Sequence, residues 1–130
     1  MADQPDPDVI RKVIANYMQR FTAQDRAGWL EQFAADAWIE DPVGTPRRHG
    51  HEEIGAFWDD THSLAEVSLV PLGITTVIGR EAIFTMQARP VLGDQTYAID
   101  IIDLMTFDDD AKITSMRAFF DASTMRPLET

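Results

Sequence analysis

The sequence contains no cysteine. That removes disulfides, thiolate nucleophiles and cysteine-based zinc sites. It is also short of positive charge: 11 Lys and Arg face 22 Asp and Glu, for a net charge of -11. A surface of that sign repels phosphate backbones and anionic headgroups, so nucleic-acid and membrane-surface partners are not expected. The same balance argues against a strongly anionic substrate, unless Arg47, Arg48 and nearby groups form a local positive patch. Long apolar runs are missing too. None approaches the roughly 20 residues needed to cross a bilayer, and the start Met1-Ala2-Asp3-Gln4-Pro5-Asp6 is acidic, unlike a signal peptide. A soluble cytoplasmic protein is the expectation.

What is present is enough for one domain with its own core, since a chain of 130 residues buries about two-thirds of its unfolded surface. Residues 1–6 read as a disordered tail, 7–123 as the domain and 124–130 as a C-terminal tail. Asp6-Pro7 is an N-cap followed by a first helical position, and Ile10, Val13, Ile14, Tyr17, Met18 and Phe21 recur at helical spacing behind it. Asp25 caps a second, short helix through Trp29, Leu30 and Phe33, ending near Ala34-Ala35-Asp36. A strand over 37–41 stops at Pro42, which has no N–H for a ladder. A third helix runs from His51 to about His62, with Ile54, Phe57, Trp58 and Thr61 inward. Strands over 66–78, 81–91, 95–108 and 112–122 follow, with turns at Gly79-Arg80, Gly93-Asp94 and Asp108 to Ala111. The pattern predicts an α+β fold, three helices packed on one face of a strongly curved, mainly antiparallel sheet.

The strand from Tyr97 to Phe107 carries an anomaly. Tyr97, Ile99, Ile101, Asp103, Met105 and Phe107 share a face, and all but Asp103 are large and mainly apolar. A carboxylate there is costly unless its pKa rises, and the neutral acid is then a hydrogen-bond donor. The opposite face holds Ala98, Ile102, Leu104 and Thr106 beside Asp100. It needs cover, and a second copy of the chain through the outer face of the sheet is the simplest supplier. Asp100 is expected to be an ordinary ionised carboxylate. Tyr17 lies inside the helix stripe, so its hydroxyl points inward and needs a partner; a backbone carbonyl serves as well as a ligand. Asp41 falls on the side of Ala37 and Ile39, where a turn aspartate accepting backbone N–H groups is the ordinary role. His49 and His51 form an H-x-H pair, read as surface groups at a helix start and not as metal ligands.

Taken together, Tyr17, Phe33-Ala34-Ala35-Asp36-Ala37, Ile39-Glu40-Asp41-Pro42-Val43-Gly44, Asp100-Ile101-Ile102-Asp103 and Ser115-Met116-Arg117-Ala118-Phe119-Phe120 resemble bacterial Δ5-3-ketosteroid isomerases over roughly 9–123. The resemblance implies a conical barrel of curved sheet and helices, of the nuclear-transport-factor-like or SnoaL-like kind, around a deep apolar cavity. It implies a steroid Δ-isomerase without cofactor or metal, with Asp41 as general base and Tyr17 and Asp103 as oxyanion donors. That family is the standard case of a carboxylic acid held neutral near pH 7, so the reading of Asp103 is not independent of it. The steroid body would lie against Phe57, Trp58, Phe84, Met86, Ile99, Ile101, Met116 and Phe120, each of which serves equally well as ordinary core. The sequence departs from the family at Phe33 and Trp58, where further tyrosines often back the catalytic one. The Trp58 indole N–H could donate to Tyr17 in their place. Two other functions fit the same fold: a different enzyme, such as an epoxide hydrolase, dehydratase or cyclase, or a non-catalytic binder of apolar small molecules.

Overall fold

A computed structural model describes residues 4–128. The elements are α1 (Pro7–Thr22), α2 (Arg26–Glu31), β1 (Phe33–Glu40), β2 (Arg48–His49), α3 (Gly50–Leu64), β3 (Glu66–Ile78), β4 (Glu81–Leu92), β5 (Gln95–Phe107), β6 (Ile113–Phe119) and β7 (Arg126–Pro127). Asp6 caps α1 by accepting from the Asp8 N–H, and Asp25 caps α2 by accepting from the Gly28 N–H. The second helix ends sooner than its apolar spacing suggests. Phe33 already belongs to β1, because its backbone pairs in parallel with Ile113 of β6. Pairing with a distant strand overrides local helical spacing.

The sheet runs in the order β2-β1-β6-β5-β4-β3 and is antiparallel except between β1 and β6. β2 and β3 remain as its edges, so the cone is curved but not closed. Three helices cover its concave face, with α1 packed along β3 and α3 against β1. Trp29, Tyr17, Phe33, Ile39, Met105, Ile113 and Met116 are among the largest fully buried side chains. Trp29 is the keystone, its ring centroid 4.8 Å from Phe33, 5.0 Å from Trp58 and 5.7 Å from Tyr17. One indole thereby ties α1, α2, α3 and β1 together.

Past β6 the chain does not leave the fold as a tail. Residues 122–124 form one 3₁₀ turn, and β7 pairs with β5 through Tyr97 with Pro127 and Ala98 with Arg126. It fills the stretch of β5 that β6, paired only from Ile102 onward, leaves bare. Positions 1–3 of the expected N-terminal tail and 129–130 of the C-terminal one lie outside the described residues. Among the described residues no helix is long and apolar enough to cross a membrane.

Candidate active site

Inside the cone lies a cavity of about 240 Å³, lined by Tyr17, Phe21, Asp41, Phe57, Thr61, Val67, Leu69, Met86, Ala88, Pro90, Ile99, Ile101 and Phe120. Strand register gives it depth. Phe84 faces Asp103; the next rows up are Met86 with Ile101, then Ala88 with Ile99 and Leu69, then Pro90 with Val67. The lower rows are buried and the last is half-exposed, so the cavity opens at the Val67–Pro90 end.

Asp103 is fully buried, and among the described residues neither of its carboxyl oxygens has a hydrogen-bond partner. Burial first, and then the charge of Asp41, push its pKa well above the usual carboxylate range. Both causes favour the protonated, uncharged form of the acid. It lies below the cavity wall and not on it: the lining residues include its strand neighbour Ile101 but not Asp103 itself.

Tyr17 comes down from α1 to the same floor. Its hydroxyl donates to Met116 Sδ at 3.2 Å, a weak acceptor, and not to a backbone carbonyl. Burial, then the negative charges of Asp103 and Asp41, raise its pKa well above the ordinary tyrosine value. The Trp29 indole N–H pulls slightly the other way. It makes no full hydrogen bond, yet lies close enough to the phenolic oxygen to be felt. Trp29 therefore holds the place beside Tyr17 that the sequence suggested for Trp58. Trp58 instead stacks on His62, with ring centroids 3.9 Å apart.

Asp41 follows the last residue of β1, and the chain changes face at this step. Glu40 points outward and accepts from Arg117 Nε at 2.7 Å, while Asp41 faces the cavity. The loop behind is pinned by Val43 N–H donating to Ala118 O at 2.8 Å and Thr45 Oγ1 donating to Pro42 O at 2.7 Å. The turn role considered for Asp41 falls to its neighbour, since Gly44 N–H donates to Glu40. Asp41 itself accepts no hydrogen bond among the described residues. The residue keeps some solvent contact, but its carboxyl end is nearly enclosed by protein. That enclosure governs its pKa, which rises to about 7, opposed only by the positive charge of Arg48. Arg48 is held by Asp60 at 3.2 Å and lies 5.6 Å over the Phe57 ring.

Of the apolar residues named from sequence, Phe57, Met86, Ile99, Ile101 and Phe120 line the cavity. Trp58, Phe84 and Met116 do not; they are 4 %, 2 % and 0 % exposed and pack in the core behind it. Helical spacing for Trp58 and alternation for Phe84 and Met116 told which side they face, but not whether they lie above or below the floor. Phe21, Thr61, Val67, Leu69, Ala88 and Pro90 line it without having been named as site residues. Phe21 and Thr61 were visible as inward positions on their helices; nothing local marks the rest. His51 uses Nε2 to meet Phe33 O at 2.8 Å, which fastens α3 to β1. Asp100 lies on the outer face, its pKa lowered by a hydrogen bond from Gln87 and then by Arg126.

Comparison with known proteins places this geometry. Residues 14–116 match the family model described as a SnoaL-like domain. The chain is 35% identical over 116 residues to a steroid Delta-isomerase of Nocardioides simplex, covering 89% of this chain and 93% of that protein. Two solved structures share the fold. The epoxide hydrolase/cyclase-like enzyme SalBIII superposes with a TM-score of 0.86 at 24% identity, over 95% of this chain and 98% of its own. A computationally designed 17-OHP binder superposes with a TM-score of 0.76 at 22% identity, over 91% and 95%.

Proposed function

The chain belongs to the SnoaL-like domain family, and from that premise we propose that it is a steroid Δ-isomerase acting on 3-oxo-Δ5-steroids through Asp41, Tyr17 and Asp103. One arrangement carries the reading: Asp41, its pKa raised to about 7, faces an apolar cavity that Tyr17 also lines, with Asp103 buried below the wall, and burial raises the pKa of both Tyr17 and Asp103. A base poised at the operating pH combines a useful ionised fraction with real affinity for a carbon-bound proton. A passive binder has no use for a desolvated carboxylate.

In the proposed reaction Asp41 removes the proton from the carbon between the ketone and the double bond. The C–H electron pair moves to form the conjugated dienolate, and negative charge collects on the ketone oxygen. Tyr17 O–H and the Asp103 carboxylic acid each donate a hydrogen bond to that oxygen. Asp41 then returns the same proton two carbons further along, and the Δ4 enone results. The apolar wall of Met86, Ile99, Ile101 and Phe120 receives the flat ring system and shields the proton from water. The present acceptor of Tyr17 is a thioether, which a ketone oxygen displaces at small cost.

The reading extends to assembly. Ile83, Ile102 and Phe119 are 47 %, 45 % and 38 % exposed on the outer face of the sheet, where a second copy would cover them. Light scattering at micromolar concentration checks this, a monomer counting against it. The activity is tested by adding a 3-oxo-Δ5-steroid and following the conjugated-enone absorbance. Folded protein that produces no rise above the uncatalysed rate would sink the isomerase reading.

A further inference from the structure

A general base must stand close to its working place, since a displacement of about 1 Å costs roughly a hundred-fold in rate. The Asp41 side chain has nothing of its own to hold it there. Its carboxyl accepts no hydrogen bond among the described residues, and it stands where β1 has just ended. Its place is therefore set by the backbone on its two sides.

Both sides are tied to β6. Before Asp41, Glu40 and Arg117 are partners in the parallel β1–β6 register, and Arg117 Nε donates to Glu40 Oε1 at 2.7 Å. After it, Val43 N–H donates to Ala118 O at 2.8 Å. The second oxygen of Glu40, Oε2, reaches across the loop and accepts a long hydrogen bond from Gly44 N–H at 3.4 Å. One carboxylate thus grips the strand before Asp41 and the loop behind it. Gly44 takes part with φ +101°, a left-handed backbone that a side chain would strain. Arg117 is steadied in turn, its guanidinium 5.1 Å from the centre of the Phe119 ring.

Enclosure sets this ion pair apart. The Glu40 side chain is 14 % exposed, whereas the acid of every other ion pair among the described residues is 52 % exposed or more. An exposed pair yields to water and fixes little. An enclosed carboxylate held by a guanidinium and a backbone N–H keeps one geometry. Arg117 does not reach Asp41 by charge, because the cation that lowers the Asp41 pKa is Arg48. What Arg117 passes on is position.

We infer that Arg117 and Glu40 are positioning residues for Asp41, a clamp that fixes where the base enters the cavity. The step it serves rests on the isomerase reading above, while the clamp itself belongs to the ligand-free fold. Neither Glu40 nor Arg117 lines the cavity. Loss of the clamp should therefore show in proton transfer and not in steroid binding.

The test is a double-mutant cycle of Glu40→Gln, Arg117→Met and the two together. Turnover is measured with a 3-oxo-Δ5-steroid. Affinity for a conjugated 3-oxosteroid is read by tryptophan-fluorescence quenching, and loop order by hydrogen exchange of the Val43 amide without ligand. Each single variant should lower kcat by about ten- to a hundred-fold, with affinity changed by less than about two-fold. The acid limb of kcat/KM should stay near pH 7. The double variant should be no slower than the slower single one, because the two side chains act as one unit. Arg117→Lys, which keeps a cation for Glu40, should recover part of the rate. The Val43 amide should exchange about ten-fold faster in either single variant. Additive losses around the cycle overturn the inference, as does an equal loss of affinity. Should Arg117→Met fail to fold by circular dichroism, Arg117→Gln supplies the same corner of the cycle. Full turnover in every variant removes the clamp and leaves the isomerase reading. A wild type that binds steroid without turnover removes the isomerase reading, and Val43 exchange then decides the clamp: unchanged exchange overturns it.

Discussion

Replacing Asp41 by Asn should stabilise the protein, and only above neutral pH. The carboxyl has a pKa of about 7 in the fold against 3.8 for a free side chain. The folded state therefore binds this proton more tightly than the unfolded chain. The associated stability is fully present below pH 3.8, falls as pH rises, and is gone once pH passes 7. The difference is 7 − 3.8, or about 3 pH units, and at roughly 1.4 kcal/mol per unit it amounts to about 4 kcal/mol at most. Partial solvent contact of Asp41 trims that figure, and an Asn amide in the same cavity costs about 1–3 kcal/mol of its own. A net gain of about 1–2 kcal/mol at pH 8.5 is the expectation, measured from urea midpoints with circular dichroism. At pH 5 the wild-type carboxyl is protonated in the fold, and the advantage of Asn should shrink to nothing or reverse. Asp103 is also strongly shifted; burial, the larger cause, is common to both proteins and cancels, while Asn removes the smaller push from the Asp41 charge, which adds to the gain at high pH. Stability profiles that run parallel from pH 5 to 8.5 would refute the argument, because they would show that Asp41 carries no desolvated charge.

Four further outcomes follow. In the wild type kcat/KM should rise with pH through about 7, as Asp41 loses its proton; a profile flat from pH 5.5 to 8.5 would show that the base is another group. Asp103→Leu should lower kcat more than Asp103→Asn, because an amide still donates, and equal losses would deny Asp103 a donor role. Tyr17→Phe should lower kcat by roughly 10²–10³ with little change in the affinity for product steroid; loss of affinity at constant kcat would contradict the oxyanion assignment. Arg48→Met removes the one cation that opposes the desolvation of Asp41, so the acid limb of kcat/KM should move to higher pH and Arg48→Lys should restore it partly. A limb that stays in place would mean that Asp60 already neutralises Arg48 at that distance.

How far the chain could be read depended on the range of the forces involved. The long strands and the first and third helices were legible because alternation and helical spacing are properties of neighbouring residues. The end of α2 was not: Trp29, Leu30 and Phe33 have helical spacing, and only the backbone pairing of Phe33 with Ile113 turns that residue into sheet. Tyr17, Asp41 and Asp103 were named from family resemblance. The sole anomaly visible without it was a carboxylate on an apolar face.

The sequence by itself determined the alternation that buries Asp103, the helix stripe that turns Tyr17 inward, and the proline that ends β1 beside Asp41. It also determined, through the absence of cysteine and the excess of acid, what chemistry to set aside. The tertiary structure decided everything that depends on the curve of the sheet. It sorted inward residues into floor and wall, so that Phe84 and Met116 became core while Leu69 and Pro90 became lining. It gave the place beside Tyr17 to Trp29 and the turn hydrogen bond to Glu40, which leaves Asp41 without a donor among the described residues. A pKa near 7 is a sum over every atom that excludes water from one carboxyl. Those atoms come from segments far apart in the chain, and only the folded cone brings them together.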